Sequence, residues 1–200
     1  MKKEVKLKVI IILLAILFGI SLYFTFNFYN KYKQLSWPCK PLSCENENIN
    51  ITTLIESNYY DYVINAINNA KNHIYVAMFQ FKFYENNKVR DILDALVKAK
   101  QKGIEVKILL DRSDWNKEIE KKNKETIEYL KQYGIEAKFD VPSQTLHAKF
   151  IIIDDIVIIG STNLVYYALY KNAETNIAIK NKGIAREFMN YFDFLWEKAS

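Results

Sequence analysis

The chain has 200 residues and a mass of 23.6 kDa, which suits one ordinary domain and leaves little room for two. Half of the residues are hydrophobic and 26% are charged, so a disordered or fibrous chain is excluded. Two cysteines are too few for a disulfide-rich scaffold or an all-cysteine zinc site. The net charge is +5, but residues 1–48 hold seven lysines against three glutamates, whereas the remainder holds 21 basic and 20 acidic residues. The folded part therefore lacks the overall positive charge typical of proteins that bind long polyanions.

An uncharged segment, Val9–Phe28, predicts one transmembrane helix, because twenty residues at a rise of about 1.5 Å each span a bilayer core of about 30 Å. Four lysines precede it, so we expect a cytoplasmic N-terminus and a single-pass protein of the cell membrane with its domain outside. The alternative is a cleaved signal peptide, although the apolar region is long for one and lacks an A-x-A-like site. The predicted organisation is a signal anchor over 1–30, a tether over 31–48 and a folded domain over 49–200.

The tether contains Cys39 and Cys44, which are separated by four residues. Outside the cell they could form a small disulfide loop, and two unpaired thiols are the alternative. Metal binding is not expected here, because no histidine or further cysteine lies nearby.

Within the domain, short apolar runs alternate with apolar residues at helical spacing. The runs predict strands at Ile74–Phe79, Val106–Leu110, Ala137–Phe139, Leu146–Ile153, Ile156–Ile159 and Asn176–Ile179. Helices are predicted around 89–97, over 117–133, at 164–169 and around 184–195. This alternation predicts an α/β fold with a sheet flanked by helices, and the tight Asp154-Asp155 connection makes the sheet mixed.

The chain has two histidines in different settings. His147 is followed by Lys149, and because alternate residues of a strand share a face, both side chains should point the same way and could grip an anion. Their neighbours are apolar on both faces, which predicts a buried central strand where a histidine and a lysine are costly unless they have partners. His73 precedes a strand with no reactive group around it, and we interpret it as structural.

A short polar turn, Gly160-Ser161-Thr162-Asn163, follows the next predicted strand and precedes a helix. A glycine turn with hydroxyl and amide groups before a helix is typical of a phosphate cradle. If the two strands pair as a hairpin, this turn comes back beside His147. The combination predicts attack on a phosphodiester without a metal.

These residues resemble the signature of the phospholipase D superfamily, H-x-K-x4-D followed by G-S-x-N. In this sequence the pattern reads His147, Lys149 and Asp154, and then Gly160 to Asn163. The upstream order of strand, helix and strand agrees, and the resemblance covers roughly residues 50–200. One difference is that five residues separate Asp154 from Gly160, where the family commonly has six.

The resemblance implies roles for the site residues, and it implies no metal or cofactor. His147 would be the nucleophile that forms a phosphohistidine. Lys149 and Asn163 would hold the non-bridging oxygens of the phosphate, with help from Ser161. Taken singly, each residue has an ordinary explanation, such as a core histidine, a lysine that snorkels from the core or a helix cap.

Two acidic residues complete the candidate set. Glu174 stands where the family places an acidic partner and would orient an imidazole, although a solvated loop carboxylate is the alternative. Asp154 is a candidate catalytic residue, and a structural role in the turn is the alternative. The chain has one H-x-K motif, whereas two-step cleavage needs a nucleophile and a general acid. Family members of this size form homodimers, so we expect two copies of His147 to face one phosphate.

Three functions remain open from the sequence. A membrane anchor favours a phospholipid substrate, as in enzymes that resemble mitochondrial cardiolipin hydrolase. The alternative is an endonuclease, for which a basic groove could come from Lys82, Lys88, Lys107, Lys138 and Lys171. The third is an inactive, membrane-tethered module that only binds phosphate.

Overall fold

The computed structural model describes residues 14, 16–30, 48–112 and 115–200. The chain divides into two units, Met1–Lys40 and Pro41–Ser200, and each is described by itself. In the first, residues 16–30 are helical and their side chains are exposed. Among the described residues, no helix has both the length and the apolar character needed to cross a membrane. The start of the predicted span, most of the predicted tether and both cysteines lie outside the described residues.

The domain is built on a seven-stranded sheet. Its strands are β1 (Asn50–Ile55), β2 (His73–Met78), β3 (Glu105–Leu110), β4 (Glu136–Phe139), β5 (Lys149–Ile153), β6 (Ile156–Gly160) and β7 (Thr175–Lys180). They lie in the order β1-β7-β6-β5-β2-β3-β4. The pairs among β2, β3 and β4 are parallel, and every other neighbouring pair is antiparallel. The predicted mixed sheet is therefore confirmed. The edge at which β2, β3 and β6 end and β5 and β7 begin is called the site edge below.

Within residues 48–112 and 115–200, five helices cover the sheet: α1 (Asn58–Asn68), α2 (Lys88–Gln101), α3 (Lys117–Gln132), α4 (Tyr166–Tyr170) and α5 (Lys182–Lys198). Because side chains alternate along a strand, β2 contributes to two cores. Ile74 and Val76 pack with residues of α1, α2 and α3 in the larger core. Tyr75 and Ala77 lie on the opposite face, in a smaller core with Phe192 of α5.

Asparagine caps and glycines set the ends of the main helices. The side chains of Asn87, Asn116 and Asn181 accept hydrogen bonds from backbone N–H groups in the first turns of α2, α3 and α5. Gly103 and Gly134 follow α2 and α3 with φ of 87° and 73°, a left-handed conformation that glycine adopts without steric cost. The ends of α2 and α3 thus coincide with Gly103 and Gly134, which the sequence offers as helix stops.

The start of β5 differs from the sequence prediction. The strand begins at Lys149 rather than Leu146, because the backbone N–H of Leu146 donates to the Asp111 carboxylate at 2.8 Å instead of joining the sheet. The N–H of His147 is likewise bonded to the carbonyl of Thr145 at 3.0 Å. His147 therefore lies just before the strand and is exposed, so its predicted burial within a central strand was wrong.

Candidate active site

His147 lies at the site edge against an aromatic side chain. Its ring packs edge-on against the ring of Phe79, with centroids 4.8 Å apart, and Phe79 stacks on the exposed Trp115 at 6.2 Å. The backbone N–H of Phe79 donates to the carbonyl of Ala148 at 3.0 Å, which joins the end of β2 to the start of β5. The imidazole is thus supported from one side while it remains accessible to solvent.

Lys149 is the first residue of β5, and its side chain reaches back toward His147. The ammonium donates to the backbone carbonyl of His147 at 3.0 Å and lies 5.1 Å from the centre of the Phe79 ring. Burial lowers the pKa of Lys149 below its ordinary value, although the carboxylates of Glu174 and Asp111 act in the opposite direction. The site therefore holds a partly desolvated cation beside an imidazole.

The predicted hairpin of β5 and β6 is confirmed. Phe150 pairs with Ile159, so Lys149 and Gly160 are the next residues on the two strands, despite the shorter spacing from Asp154. Gly160 in turn pairs with Asn176 of β7. A Cβ at position 160 would clash with the Thr175 carbonyl and the Asn176 side chain. Glycine at this position therefore allows β6 and β7 to meet closely beside the candidate site.

Side chains of the G-S-T-N turn alternate in direction. Ser161 is exposed, and its hydroxyl donates to the Glu174 carboxylate while it accepts from the N–H of Thr175 at 3.0 Å. Thr162 is buried, and its hydroxyl accepts from the Asn176 amide at 2.8 Å. The exposed serine thus stays on the solvent side, whereas the threonine fixes the turn to β7.

Asn163 connects the turn to the end of β2. Its Oδ1 accepts from the N–H of Gln80 at 3.2 Å, and the N–H of Leu164 donates to the Gln80 carbonyl at 3.0 Å. With Oδ1 engaged in this way, Nδ2 is the atom of the Asn163 amide that can donate to an anion.

Glu174 is largely buried next to the start of β7. Its two carboxylate oxygens accept hydrogen bonds from Ser161 and from Asn172, the latter at 3.0 Å. The Glu174 carbonyl accepts from the N–H of Glu56 at 3.3 Å, which also connects this segment to the end of β1. The carboxylate is therefore buried and accepts two hydrogen bonds. This excludes the alternative considered from the sequence, a carboxylate in a solvated loop.

Asp154 is separated from the other candidate residues. It lies in the β5–β6 connection, at the opposite end of β5 from His147, which is a separation of roughly 20 Å along an extended chain. Its carboxylate accepts from the N–H groups of Lys71 and Asn72 at 2.8 Å and of His73 at 3.2 Å. Partial burial would raise the pKa of Asp154, but these donors outweigh it and lower the pKa below the ordinary value.

Two buried polar residues at the site edge were not predicted. The Asn123 amide of α3 donates to the carbonyls of Phe79 and Asp111 at 2.9 Å and accepts from the N–H of Phe81 at 3.0 Å. The Asp111 carboxylate accepts from the N–H of Leu146. Together they hold the ends of β2 and β3 and the segment before His147. The aspartate directly after an apolar strand was a usable signal, whereas Asn123 within a charged helix gave none.

The five lysines proposed for a basic groove do not form one group. Lys107 and Lys138 contact aromatic residues of the smaller core and of α5. Lys82 follows β2, Lys88 begins α2, and Lys171 follows α4. No group of three or more histidine, cysteine or acidic residues that could hold a metal occurs within residues 48–112 and 115–200 or the described N-terminal helix.

Comparison with known proteins identifies the family. Residues 63–196 match the family described as "Cardiolipin synthase, PLD-like domain". A phospholipase D of Rickettsia felis is 31% identical over 140 residues, 70% of this chain and 64% of the relative. One of Rickettsia typhi is 37% identical over 103 residues, 50% of this chain and 48% of the relative. A mitochondrial cardiolipin hydrolase of Chlamydomonas reinhardtii is 29% identical over 108 residues, 54% and 46% of the two chains.

Comparison with solved structures agrees with this family. The phospholipase D family member Nuc from Salmonella typhimurium has 26% identity and a TM-score of 0.66, covering 76% of this chain and 97% of that one. NucT from Helicobacter pylori shares the fold at 21% identity and a TM-score of 0.61, covering 76% of this chain and 98% of that one. The chain spans about half to two thirds of the length of the curated relatives named above. It belongs to the phospholipase D superfamily.

Proposed function

We propose that this chain is a phosphodiesterase of the phospholipase D type that works through a phosphohistidine on His147. The observation that carries the proposal is the exposed imidazole at the site edge, beside the Lys149 ammonium and at the same edge as the G-S-T-N turn. Relatives named phospholipase D and cardiolipin hydrolase support the same class of reaction.

The reaction has two steps. A ring nitrogen of His147 attacks the phosphorus, the bond to the leaving alcohol breaks, and that alcohol oxygen takes a proton from a general acid. Water then attacks the phosphohistidine and gives a proton to the group that served as the general acid, which releases a phosphate monoester and restores the imidazole. The Lys149 ammonium, the Asn163 amide and the Ser161 hydroxyl would donate to the phosphate oxygens, where negative charge is concentrated in the transition state.

The general acid is assigned to a second copy of the chain. In a homodimer with a two-fold axis through the site, His147 of the partner subunit would protonate the leaving alcohol. The proposed role of Glu174 is to orient an imidazole of this shared site, which suits a carboxylate held in place by two donors. We assign Asp154 a structural role, because it lies at the far end of β5.

Phospholipid is the favoured substrate. An uncharged N-terminal segment and the exposed apolar side chains of residues 16–30 suit a bilayer anchor, which would keep the domain near phospholipid head groups. The lysines before this segment suit a cytoplasmic N-terminus and a domain outside the cell membrane. Protease added to intact cells should then digest the domain, and protection from it would contradict this topology.

Cleavage of nucleic acid by the same site is the second candidate. Lys82, Lys88 and Lys171 lie in or after the segments that follow β2 and β6, and they would offer positive charge to a phosphate backbone. The full-length protein in detergent should be offered phospholipid in mixed micelles and single-stranded DNA side by side. Cleavage of DNA with no lipid product would overturn the phospholipid assignment.

Activity itself is tested with bis(p-nitrophenyl) phosphate in the presence of EDTA. His147→Asn should lower turnover roughly 10²- to 10⁴-fold, since it removes the nucleophile. His73→Asn is the matched control, because His73 begins β2 at the edge remote from the site. Absence of turnover by the wild type would favour a module that binds phosphate without cleaving it, and wild-type activity of His147→Asn would exclude the proposed nucleophile.

A further inference from the structure

A cavity of about 330 Å³ lies next to the site edge. Its walls come from the loop after β2, the first two turns of α3 and the residues around the start of α4. Lys82, Lys122, Gln80 and Tyr167 are among the residues that line it. None of these residues belongs to the signature that defines the reaction centre.

The cavity shares structural elements with the candidate active site. Gln80 lines the cavity, and its backbone N–H is the donor to Oδ1 of Asn163. Asn123 also lines the cavity, and its amide donates a hydrogen bond to the backbone carbonyl of Phe79. The side-chain ring of the same Phe79 contacts the ring of His147. The cavity and the candidate active site are therefore linked through Gln80 and Asn123.

Two lysines, Lys82 and Lys122, line the cavity together with one glutamate, and the two lysines differ in their partners. Lys122 is paired with Glu125 at 3.3 Å, and Glu118 also lines the cavity. Lys82 lies over the ring of Tyr84 at 4.9 Å and has no carboxylate partner among the residues that the structure describes. A ligand can therefore bind the Lys82 ammonium without breaking an existing ion pair.

We propose that this cavity binds a second phosphate group of the substrate, next to the one that is cleaved. Lysine ammonium groups with nearby amide and tyrosine hydroxyl donors suit the charge and the several acceptors of a phosphate. The inference rests on the proposed function, because it assigns the cavity to the same substrate. Lys82 is its main binding residue, and it makes the enzyme selective for diesters that carry an additional phosphate.

The test compares two pairs of soluble substrates with the full-length protein in detergent. One pair is a short-chain phosphatidylglycerol with and without a phosphate on its head group, and the other is a thymidine dinucleotide with and without a 5′-phosphate. In at least one pair the wild type should prefer the phosphorylated member. Lys82→Gln should reduce that preference, the ratio of the two kcat/KM values, about tenfold. The pair that shows the preference identifies a lipid or a nucleic acid as the source of the phosphate.

The matched control is Lys124→Gln, which removes the same charge from α3 at an exposed position paired with Glu128. It should leave the ratio unchanged, and equal ratios for Lys82→Gln and the wild type would overturn the proposal. If the wild type cleaves no diester at all, the proposed function fails while the cavity is still tested by calorimetric titration with inorganic pyrophosphate. Pyrophosphate binding that Lys82→Gln does not weaken would overturn the assignment in that case.

Discussion

The hydroxyl of Ser161 donates a hydrogen bond to the buried carboxylate of Glu174 and accepts one from the backbone N–H of Thr175. These bonds join the turn after β6 to the beginning of β7. Asn172 supplies the other donor to the carboxylate. The serine of the signature therefore supports an acidic residue of the site, in addition to its proposed contact with phosphate.

Replacing Ser161 should affect both stability and catalysis. In Ser161→Ala, the Glu174 carboxylate and the Thr175 N–H each lose a partner, which should lower the free energy of unfolding by about 1–3 kcal/mol. Loss of one donor to the phosphate should also lower kcat/KM by about 10²-fold. Urea denaturation and hydrolysis of bis(p-nitrophenyl) phosphate measure the two effects. Ser161→Thr keeps the hydroxyl and should recover part of both, whereas wild-type kinetics for Ser161→Ala would contradict the assignment.

The pH profile should depend on Glu174 through Lys149. Burial lowers the pKa of Lys149, and the Glu174 carboxylate counteracts that effect. Glu174→Gln removes the carboxylate, so the pKa of Lys149 should fall further and the ammonium should be lost at a lower pH. The alkaline limb of kcat/KM should therefore move to lower pH. Glu128→Gln, on the exposed side of α3, is the control that should leave the limb in place; an upward shift in Glu174→Gln would refute the coupling.

Gly160 should not tolerate a side chain. In Gly160→Ala, the new Cβ meets the Thr175 carbonyl and the Asn176 side chain, so β6 and β7 must separate beside the site. We expect a loss of about 1–3 kcal/mol in the free energy of unfolding, together with most of the activity. In Gly103→Ala, nothing lies within 4 Å of the new Cβ, and only the left-handed backbone is strained, at about 1 kcal/mol. Gly103→Ala is the control, and the folded variant should keep its activity.

Asp154 should contribute to stability rather than to catalysis. Asp154→Asn removes the charge that three backbone N–H groups bind, at a φ of 50° that asparagine also adopts. Because its folded-state pKa is lowered, the carboxylate stabilises the fold above its ordinary pKa of about 4. That contribution disappears as the pH falls through the lower folded-state value. The difference in unfolding free energy between the wild type and Asp154→Asn should thus be full at pH 7 and vanish in acid.

Catalytic activity is the second property to measure in Asp154→Asn. Asp154→Asn should keep the wild-type kcat on bis(p-nitrophenyl) phosphate at pH 7. Asp155→Asn changes the neighbouring carboxylate, which lies 4.0 Å from Lys180, and should have a smaller effect on stability. A large loss of kcat in folded Asp154→Asn would contradict the structural role and indicate that Asp154 takes part in catalysis.

The central strands and the hairpin were predictable because their residues are buried on both faces. Ile151 and Ile153 face one core while Phe150 and Ile152 face the other, so the run is apolar throughout. Once these strands pair, the distance along the chain between His147 and the G-S-T-N turn no longer matters. The sequence motif could therefore predict that His147 and the G-S-T-N turn lie at the same edge of the sheet.

Other features depend on contacts that no local pattern reveals. β1 was not predicted, because it is an edge strand in which only Leu54 is buried and no clear alternation results. α1 was also missed, although its buried residues Tyr59, Val63 and Ile67 recur at helical spacing. The start of β5 depends on Asp111, which lies 35 residues from its partner Leu146. The support from Asn123 likewise arises only when α3 packs across the ends of β2 and β3.

The position of β1 defines how far the chain can be shortened. Similarity to the family begins at Val63, within α1, yet β1 pairs along its whole length with β7 and buries Leu54 in the core. The residue after it, Glu56, also contacts the segment that carries Glu174, because its N–H donates to the Glu174 carbonyl. A chain cut at the start of the family similarity would leave β7 as an unpaired edge beside the site. Keeping β7 paired therefore requires the residues from Asn50 onward, which lie before the start of the match to the family.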